Sequence, residues 1–459
     1  MKNNKQMQNN QMKYIFSAIL LLLINLGVYA QQAPADQTHR FTLQQCIDYA
    51  YEHQIDVKNA KLDIESADYK VKEIFGMGLP QVSGNINLQD FLKLPTSLLP
   101  GEFFGQPAGT FIPVKFGVKY QSTLGLNVDQ LIFDGSYLVG LKASKTYKEL
   151  SIRANDRTKI SVNVAVTKSF YMVLVSGEQL RLLDANLNQL KQQISETSEL
   201  FKQGFAEEID IDRLTVLRNN LMNTRENTVR SLALLYEVLK FQMGMPLSDN
   251  LSLNGKIEDV KLDNELSVSK ADTSAYENRI EYRLLQTQKA LSELDLKRYK
   301  SQYLPSVSAF GSHSLNYQDN SFGNLYSQNF PNTLIGLRVN IPIFSGFQRI
   351  NRVRQAQISV FKNDNLLNGT KSALTLEIEN SRNRYINSLV SLNSQKGNMD
   401  LAAKILNVSK IKYENGIGSN LEVTQAQTSL ELSQTSYIQA LYDALISKVD
   451  LEQASGKIN

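Results

Sequence analysis

The side chains that could do chemistry are few and scattered along this 459-residue chain. His39, His53 and His313 lack the spacing of a metal site, and Cys46 is the only cysteine. No nucleophile elbow or phosphate-binding loop stands between a predicted strand and a predicted helix. The sequence therefore predicts no catalytic site, metal or cofactor, and Cys46, on an apolar helical face, is expected in the core.

Two acidic residues recur in matched segments. Asp210 follows FKQGFAEEI, Glu422 follows YENGIGSNL, and Gly204 aligns with Gly416. A glycine just past a helix is a common stop, and polar residues after it restart the next helix. Acids in a first helical turn are stabilised by the helix dipole. Each segment is therefore predicted to be a tight turn between two helices.

These turns belong to a longer internal repeat. TLIGLRVNIPIFSGFQ at Thr333–Gln348 aligns without a gap on STLGLNVDQLIFDGSY at Ser122–Tyr137. Ahead of it, a helical stretch recurs, and both copies end in Leu-Pro. Because proline cannot continue a helix and pushes the preceding residue toward extended geometry, Pro80 and Pro305 are predicted to switch the chain from helix to strand.

Four segments alternate apolar and polar residues and are predicted strands: Gln81–Gln89, Thr123–Asp129, Val307–Tyr317 and Leu334–Phe344. Such alternation is typical of a half-exposed strand and equally of a barrel wall between lipid and water. The loop inside the first pair, roughly Phe91–Lys119, is rich in Pro, Gly and Phe, whereas the second, roughly Gln318–Asn332, is shorter and polar.

Two proline-free stretches, Tyr137–Gln203 and Gln348–Asn415, predict helices on the order of 100 Å long, followed by return helices over Ile209–Met243 and Leu421–Gln453. Apolar residues spaced seven apart predict coiled-coil packing along both long helices. They are Val166, Val173, Leu180, Leu187, Ile194 and Phe201, and then Ile378, Tyr385, Leu392, Met399, Leu406 and Tyr413. Taken alone, these heptads favour an ordinary coiled-coil stalk.

The first thirty residues have the pattern of a secretory signal peptide. Lys2, Lys5 and Lys13 precede the apolar run Tyr14–Val28, and Ala30 suits cleavage before residue 31. Removing these lysines leaves a nearly neutral chain, so the sequence predicts no nucleic-acid partner. No later apolar run near twenty residues is evident, so any membrane insertion is expected through strands.

The predicted organisation is a signal peptide at 1–30, a first repeat at 31–245, a linker at 246–277 and a second repeat at 278–459. The first repeat holds a polar lead-in, a helix over Phe41–Phe75, a strand pair at 81–133 and a helical hairpin at 137–243. The second holds a helix over Asn278–Tyr303, a strand pair at 306–344 and a hairpin at 348–453. The fold class is mainly α with membrane β. Since about eight strands are needed to close a barrel, four per chain require several chains to share one.

The double repeat, the Leu-Pro switches, the Phe-Asp-Gly and Phe-Ser-Gly joints and the glycine turns resemble the TolC-like family of outer-membrane efflux proteins (OEP) over essentially the whole mature chain. The resemblance implies a homotrimer whose α-barrel continues into a twelve-strand β-barrel in the outer-membrane lipid of a Gram-negative bacterium. The helical tunnel would lie in the periplasm. The partners implied are a periplasmic adaptor (membrane fusion) protein and an inner-membrane RND or ABC transporter, with the channel as exit duct for efflux or type I secretion.

The resemblance also implies residue roles. The acids at the turns would narrow the periplasmic entrance, where three copies form a negative ring that favours cations. Gln425 is neutral where a second acid could stand, which argues against a doubled ring. The alternatives are that the glycines are only helix stops and the acids only first-turn residues. The implied sites are the adaptor contacts Gly204, Phe205, Gly416 and Ile417, the constriction Asp210 and Glu422, and Arg338 in the barrel lumen.

A different class of protein also fits part of the pattern. A secreted or surface coiled-coil protein with a structural or adhesive role accounts for the heptads and the signal peptide. It does not account for paired alternating strands at equivalent places in both repeats. A secreted enzyme fits least, because the sequence offers no catalytic constellation.

Overall fold

The computed structural model describes residues 39–255, 257, 260, 262 and 275–458, so the predicted signal peptide lies outside the described residues. The chain is mainly helical with a smaller strand component. The strands are β1 (His39–Phe41), β2 (Gln81–Asp90), β3 (Thr96–Pro100), β4 (Phe111–Lys115), β5 (Tyr120–Phe133), β6 (Leu251–Leu253), β7 (Ser306–Asp319) and β8 (Asn329–Asn340). The helices are α1 (Leu43–His53), α2 (Ile55–Gly76), α3 (Gly135–Lys202), α4 (Glu208–Met243), α5 (Ile280–Ser301), α6 (Gln348–Glu414) and α7 (Asn420–Ala454).

The chain divides into two compact units, and both long helices run from one unit into the other. The first unit contains β1, α1, α4 and β6, with the later parts of α3 and α6 and the start of α7. The second unit contains α2, α5 and the remaining strands, with the first parts of α3 and α6 and the end of α7.

The main sheet lies in the second unit and is antiparallel in the order β2-β5-β7-β8. Its register places apolar residues from all four strands on one face, and Ile86 and Ile335 there are 79% and 88% exposed. This face contains Val82, Ile86, Leu88, Leu124, Leu126, Val128, Val307, Leu315, Ile335, Leu337 and Val339. The opposite face is mostly polar and contains Gln81, Ser83, Asn85, Asn87, Asn127, Asp129, Ser312, Ser314, Asn316 and Arg338. A sheet with one exposed apolar face and one polar face matches the alternation in the sequence.

The last strand is shorter than predicted. The sequence extends the second strand pair to Phe344, but β8 ends at Asn340 and residues 341–347 have no regular structure. Pro342 accounts for the difference, because it has no N–H to continue the ladder with β7. Gly346 and Phe347 then both have positive φ, of 57° and 64°, before α6 begins.

The equivalent joint in the first repeat is tighter. Asp134 alone separates β5 from α3, and its carboxylate accepts hydrogen bonds from the Ser136 hydroxyl at 2.6 Å and the Tyr137 N–H at 2.9 Å. This carboxylate therefore caps α3, whereas Ser345 stands at the aligned position before α6. The repeat predicted two equivalent joints, but only the first is a direct strand-to-helix turn, because β8 ends ahead of Pro342 and leaves an irregular segment before α6.

The predicted helix over Phe41–Phe75 is interrupted. Phe41 belongs to β1, Thr42 caps α1 in a capping box with Gln45, and the backbone of Gln54 is extended at φ −65° and ψ 134°. Gly244, at the end of α4, lies against the Gln54 backbone, where a Cβ on residue 244 would come within 2.7 Å. The close approach of these two backbone segments accounts for the break that the periodicity did not show.

The predicted linker at 246–277 is also more ordered than expected. Its residues 251–253 form β6, which pairs in parallel with β1, so the end of the predicted lead-in at 31–40 is a strand as well. Residues 275–278 form a turn of 3₁₀ helix before α5. The strands contain only three residues each, which is too short for alternation to be recognised in a sequence.

In the first unit each helical pair has its own apolar core. The core between α3 and α4 contains Leu183, Leu190, Leu214 and Leu221, with Leu187, Ile194 and Leu217 packed against it. The core between α6 and α7 contains Ala402, Leu406, Val423, Ala426 and Leu430, with Met399 and Tyr413 beside it. Several residues of the predicted sevenfold series thus lie in or beside these cores, as expected for coiled-coil-like pairs.

One expectation about apolar runs is wrong. Within the described residues, α3 contains an 18-residue window long and apolar enough to cross a membrane by composition, and 39% of that window is buried inside the chain. Buried valines concentrate in the same helix, including Val162, Val164, Val166, Val173 and Val175. Core-forming helices pass the same test, so the window by itself is weak evidence for a membrane span.

Candidate functional site

The two matched turns are built in the same way. Gly204 and Gly416 have φ of 79° and 74°, in the left-handed region that favours glycine. The N–H of Phe205 donates to Leu200 O, and that of Ile417 donates to Lys412 O, at 2.9 and 3.0 Å. These bonds span six residues, as in a Schellman motif, so each long helix ends in a Schellman cap.

The residue after each glycine is apolar and exposed. Phe205 is 77% exposed and Ile417 is 78% exposed. Both turns lie in the first unit, where the Asn420 side-chain amide donates to the backbone oxygen of Asp210 at 3.2 Å and so connects them. The structure therefore brings the four predicted contact residues to one end of this unit, with two uncovered apolar side chains among them.

The two predicted constriction acids have different surroundings. The Asp210 carboxylate accepts from the Glu207 N–H at 3.4 Å in a capping box and lies 3.7 Å from the Arg213 guanidinium. Its side chain is only 17% exposed. Burial, and then the nearby Asp210 carboxylate, raise the pKa of Tyr413. Asp210 thus has a structural role in starting α4 and in packing beside α6.

Glu422 lies in the first turn of α7 and is exposed. Its backbone N–H donates to the Ser419 hydroxyl at 3.3 Å, and its carboxylate has no ion-pair partner among the residues that the structure describes. An exposed, unpaired carboxylate is available to interact with passing ions. The geometry therefore supports an ion-attracting role more strongly for Glu422 than for Asp210.

Arg338 projects from the polar face of the main sheet. Its guanidinium lies 4.8 Å from the centre of the Phe310 ring on β7. Gly336 leaves room for this ring, since a Cβ at that position would come within 2.8 Å of it. The stacked ring orients the cation by cation–π attraction. Sequence alternation placed Arg338 on the polar face, but it did not reveal Phe310 or Gly336 as its supports.

Pro80 and Pro305 each stand immediately before a strand, β2 and β7 respectively. At the first of these places the Gln81 side chain donates to the backbone oxygens of Gly76 and Leu79, both at 2.9 Å. Gly76 O also accepts from the Leu79 N–H at 3.0 Å, so the Gln81 side chain adds to the hydrogen bonds that close the end of α2. The two prolines lie where α2 and α5 meet the sheet.

An ion-pair cluster around a buried arginine was missed in the sequence. Arg279, only 5% exposed, donates to Glu281 at 2.9 Å and to Glu377 on α6 at 3.2 Å. Burial acts to lower the pKa of Arg279, but the two carboxylates together outweigh it and raise that pKa. Burial acts to raise the pKa of Glu281, but the Arg279 hydrogen bond, a backbone hydrogen bond and the charges of Arg279 and Arg157 together lower it. No spacing pattern links residues so far apart in the chain, so only the structure reveals the cluster.

The histidines and the cysteine occupy separate structural positions. His53 stacks on Tyr49 at 4.0 Å, and His313 pairs with the Thr333 hydroxyl at 2.7 Å. Cys46 is fully buried, and burial raises the pKa of its thiol to about 12. Across residues 39–255 and 275–458, no group of three or more His, Cys, Asp or Glu side chains is arranged to hold a metal ion.

Comparisons with known proteins agree with this architecture. Residues 286–457 match the family described as outer membrane efflux protein. The chain is 20% identical over 349 residues to outer membrane protein TolC of Salmonella enteritidis, covering 74% of this chain and 70% of that protein. It is 21% identical over 345 residues to the alkaline protease secretion protein AprF of Pseudomonas aeruginosa, covering 74% and 70%.

The fold has a solved counterpart along nearly its whole length. The crystal structure of CusC, described in terms of folding and transmembrane channel formation, matches with a TM-score of 0.71 and 15% identity, covering 94% of this chain and 95% of that one. The TolC-like resemblance indicated by the repeat is thereby confirmed: this chain resembles the outer membrane efflux proteins in fold along nearly its whole length and in sequence over most of it.

Proposed function

We propose that this chain forms an outer-membrane channel that serves as the exit duct of an efflux or type I secretion system. One observation carries the proposal, namely the four-stranded sheet with an exposed apolar face, a polar face and two open edges. Within the described chain, β2 and β8 each pair on one side only. Unpaired strand edges cannot remain in lipid, and four strands cannot close on themselves. Three copies would join their sheets into a twelve-strand barrel.

In the proposed duct, the two faces of the sheet contact different surroundings. The apolar face, with Ile86 and Ile335 exposed, would contact lipid, whereas the polar face with Arg338 would line a water-filled lumen. The paired helices would continue the tube into the periplasm of a Gram-negative bacterium. The printed names of the relatives, outer membrane protein TolC and the secretion protein AprF, support this location and this class of transport.

The proposed duct also implies partner proteins. A homotrimer would present three sets of paired turns, and the exposed Phe205 and Ile417 side chains would dock a periplasmic adaptor protein. The adaptor would connect the duct to an inner-membrane transporter of the RND or ABC class. The three Glu422 carboxylates would favour cations at the periplasmic entrance, and the Arg338 guanidinium groups would act in the lumen.

A secreted coiled-coil protein is less well supported. In a secreted coiled-coil protein, the apolar face of the main sheet, where Leu337 is 70% exposed, would be in contact with water. Exposed apolar patches of this extent mark an interaction site or a membrane-facing surface. A passive duct also needs no catalytic group, in keeping with the channel proteins among the relatives.

Planar-bilayer recording of the purified mature protein tests the proposal. We expect discrete conductance steps, and we expect Arg338→Gln to shift ion selectivity toward cations because it removes positive charge from the lumen. Ser308→Gln, which changes the residue paired with Arg338 without changing charge, is the matched control. A membrane-inserted protein that conducts no ions under any condition would contradict the duct.

A further inference from the structure

The first loop of the main sheet contains a hairpin to which the proposed channel function gives no role. Residues 91–119, here called the surface hairpin, leave the main sheet where the Phe91 N–H donates to Lys119 O at 2.8 Å. Inside it, β3 and β4 pair from Thr96↔Lys115 to Pro100↔Phe111 and form a two-stranded sheet of their own. The sequence predicted only a loop here, because FIPVK contains a proline and does not alternate apolar and polar residues.

Both faces of the surface hairpin are apolar. Leu98 and Phe111 are 64% and 62% exposed on one face, and Leu99, Ile112 and Val114 are half-buried on the other. The turn beyond the strands contains Phe103, which is 79% exposed. A two-stranded hairpin is marginally stable in water by itself, and apolar residues on both faces make contact with water unfavourable.

The charges of the surface hairpin are segregated. Lys93, Lys115 and Lys119 lie toward its attachment to the main sheet, and Glu102 in the turn is its only acid. A positively charged attached end and an exposed apolar turn end are together complementary to an anionic amphiphilic surface. The same net charge on each copy would oppose contact between hairpins of neighbouring chains.

The second loop of the sheet provides a contrast within the same chain. Leu325 is buried, the Tyr326 hydroxyl donates to the Ser122 hydroxyl at 3.2 Å, and Phe322 packs edge-on against Tyr120 at 5.5 Å. This loop therefore packs against the neighbouring strand β5, although Phe322 and Tyr326 remain 56% and 55% exposed. In the surface hairpin Leu98, Phe103 and Phe111 are 64%, 79% and 62% exposed, so any cover for these three side chains must come from outside the chain.

We propose that the surface hairpin lies in the interface of an anionic lipid layer, with Phe103 and Phe111 in the apolar boundary and the lysines at the lipid phosphates. The proposal rests on the proposed function, which places this end of the sheet at the outer membrane. A lipid interface would cover the exposed face with Leu98 and Phe111 and the turn with Phe103 together. The lysine stems can extend to the phosphates, and Glu102 limits the depth, because its carboxylate must stay hydrated.

Tryptophan fluorescence tests the proposal directly, because the chain has no tryptophan. Phe103→Trp is reconstituted into vesicles of phosphatidylcholine and phosphatidylglycerol with brominated acyl chains. We expect the tryptophan emission to be about two-fold or more lower than in unbrominated vesicles. We also expect iodide added to the aqueous phase to quench this tryptophan only weakly. In brominated phosphatidylcholine alone, without anionic lipid, the loss should be smaller. Strong iodide quenching with no bromine quenching would overturn the proposal.

Two controls separate this inference from the proposed function. Ile335→Trp reports the apolar face of the sheet and should be quenched by bromine, whereas Phe205→Trp in the helical turn should not. An unquenched Ile335→Trp would count against the channel itself. A quenched Ile335→Trp with an unquenched Phe103→Trp would reject only the lipid contact of the hairpin.

Two further variants test the occupant and the charges. Phe103→Cys probes contact between hairpins of neighbouring copies, since the only natural cysteine is buried. Efficient thiol cross-linking between copies would show that the hairpins cover one another and would overturn the proposal. Replacing Lys93, Lys115 and Lys119 by Gln in the Phe103→Trp chain should remove the extra quenching caused by phosphatidylglycerol. An unchanged preference for anionic lipid would reject the role of the lysines.

Discussion

Glu422 and Asp210 stand in the first turns of matched helices, but their carboxylates have different partners. Asp210 is engaged in a capping box and lies near Arg213, and Glu422 is exposed without an ion pair in the described part of the chain. Charge that is already paired contributes little field to a lumen, whereas an unpaired carboxylate contributes its full charge. We therefore expect ion selectivity at the proposed entrance to depend more on Glu422 than on Asp210.

Glu422→Gln is expected to lower the cation-over-anion permeability ratio by roughly two-fold or more, because three charges leave the entrance together. Reversal potentials in asymmetric salt across a planar bilayer measure this ratio. Asp210→Ala is the comparison: it should leave selectivity nearly unchanged and destabilise the start of α4 by about 1 kcal/mol. Equal selectivity losses in the two variants would contradict the assignment.

Ile417→Ser and Phe205→Ser are expected to weaken adaptor binding by about ten-fold or more, because each removes an exposed apolar anchor from the turns. Binding of purified adaptor to the detergent-solubilised channel gives the affinity. Leu234→Ser on α4, where the leucine is 64% exposed, is a control for lost apolar surface and should bind as the unmodified chain does. Unchanged affinity in both turn variants would limit the glycine turns to a helix-stop role.

Between elements, the Arg279 cluster is a polar link in the second unit that centres on a buried guanidinium. It joins the start of α5 to α6 through Glu281 and Glu377, beside the contact of Ala275, Ile378 and Ala454. Removing the guanidinium leaves two carboxylates in a partly desolvated site without their hydrogen-bonded cation, with only the more distant charge of Arg157 acting on Glu281. A large part of the stability lost on removing the guanidinium should therefore come from repulsion between the two carboxylates and from their incomplete hydration.

Arg279→Gln is expected to lower the free energy of unfolding by about 1–3 kcal/mol, below the range for fully buried pairs because both carboxylates are partly exposed. The folded-state pKa of Glu281 is depressed, so its stabilisation is present above the ordinary pKa of 4.5 and lost as pH falls through the folded pKa. The difference between the two proteins should shrink on acidification below pH 4.5. Thermal unfolding followed by circular dichroism across pH measures it.

Arg298→Gln is the control for this prediction. Arg298 pairs with Asp295 within one helix, and both side chains are about a third exposed or more, at 35% and 47%. Exposed pairs of this kind contribute on the order of 0.5 kcal/mol. The loss of unfolding free energy in Arg279→Gln should exceed that in Arg298→Gln and should shrink in acid. A loss that is no larger than in Arg298→Gln, or that grows in acid, would mean that the cluster does not hold α5 to α6.

At the level of the whole molecule, the sequence predicted the parts that depend on local pattern. Alternation indicated all four sheet strands, proline-free heptads indicated the long helices, and the glycine turns indicated where they end. Pro342 was visible in the sequence, yet the end of β8 was placed too late because the aligned repeat has no proline there. The break at Gln54 and the Arg279 cluster depend on residues brought together by folding, so no local pattern could indicate them.

The native mass of the mature chain, extracted from outer membranes in mild detergent and corrected for bound detergent, tests the shared barrel most directly. The account predicts three chains, because the open edges of β2 and β8 can only be satisfied by neighbouring copies. A soluble monomer, or a coiled-coil dimer that needs no detergent, would show that the sheet does not lie in a membrane and would contradict the duct.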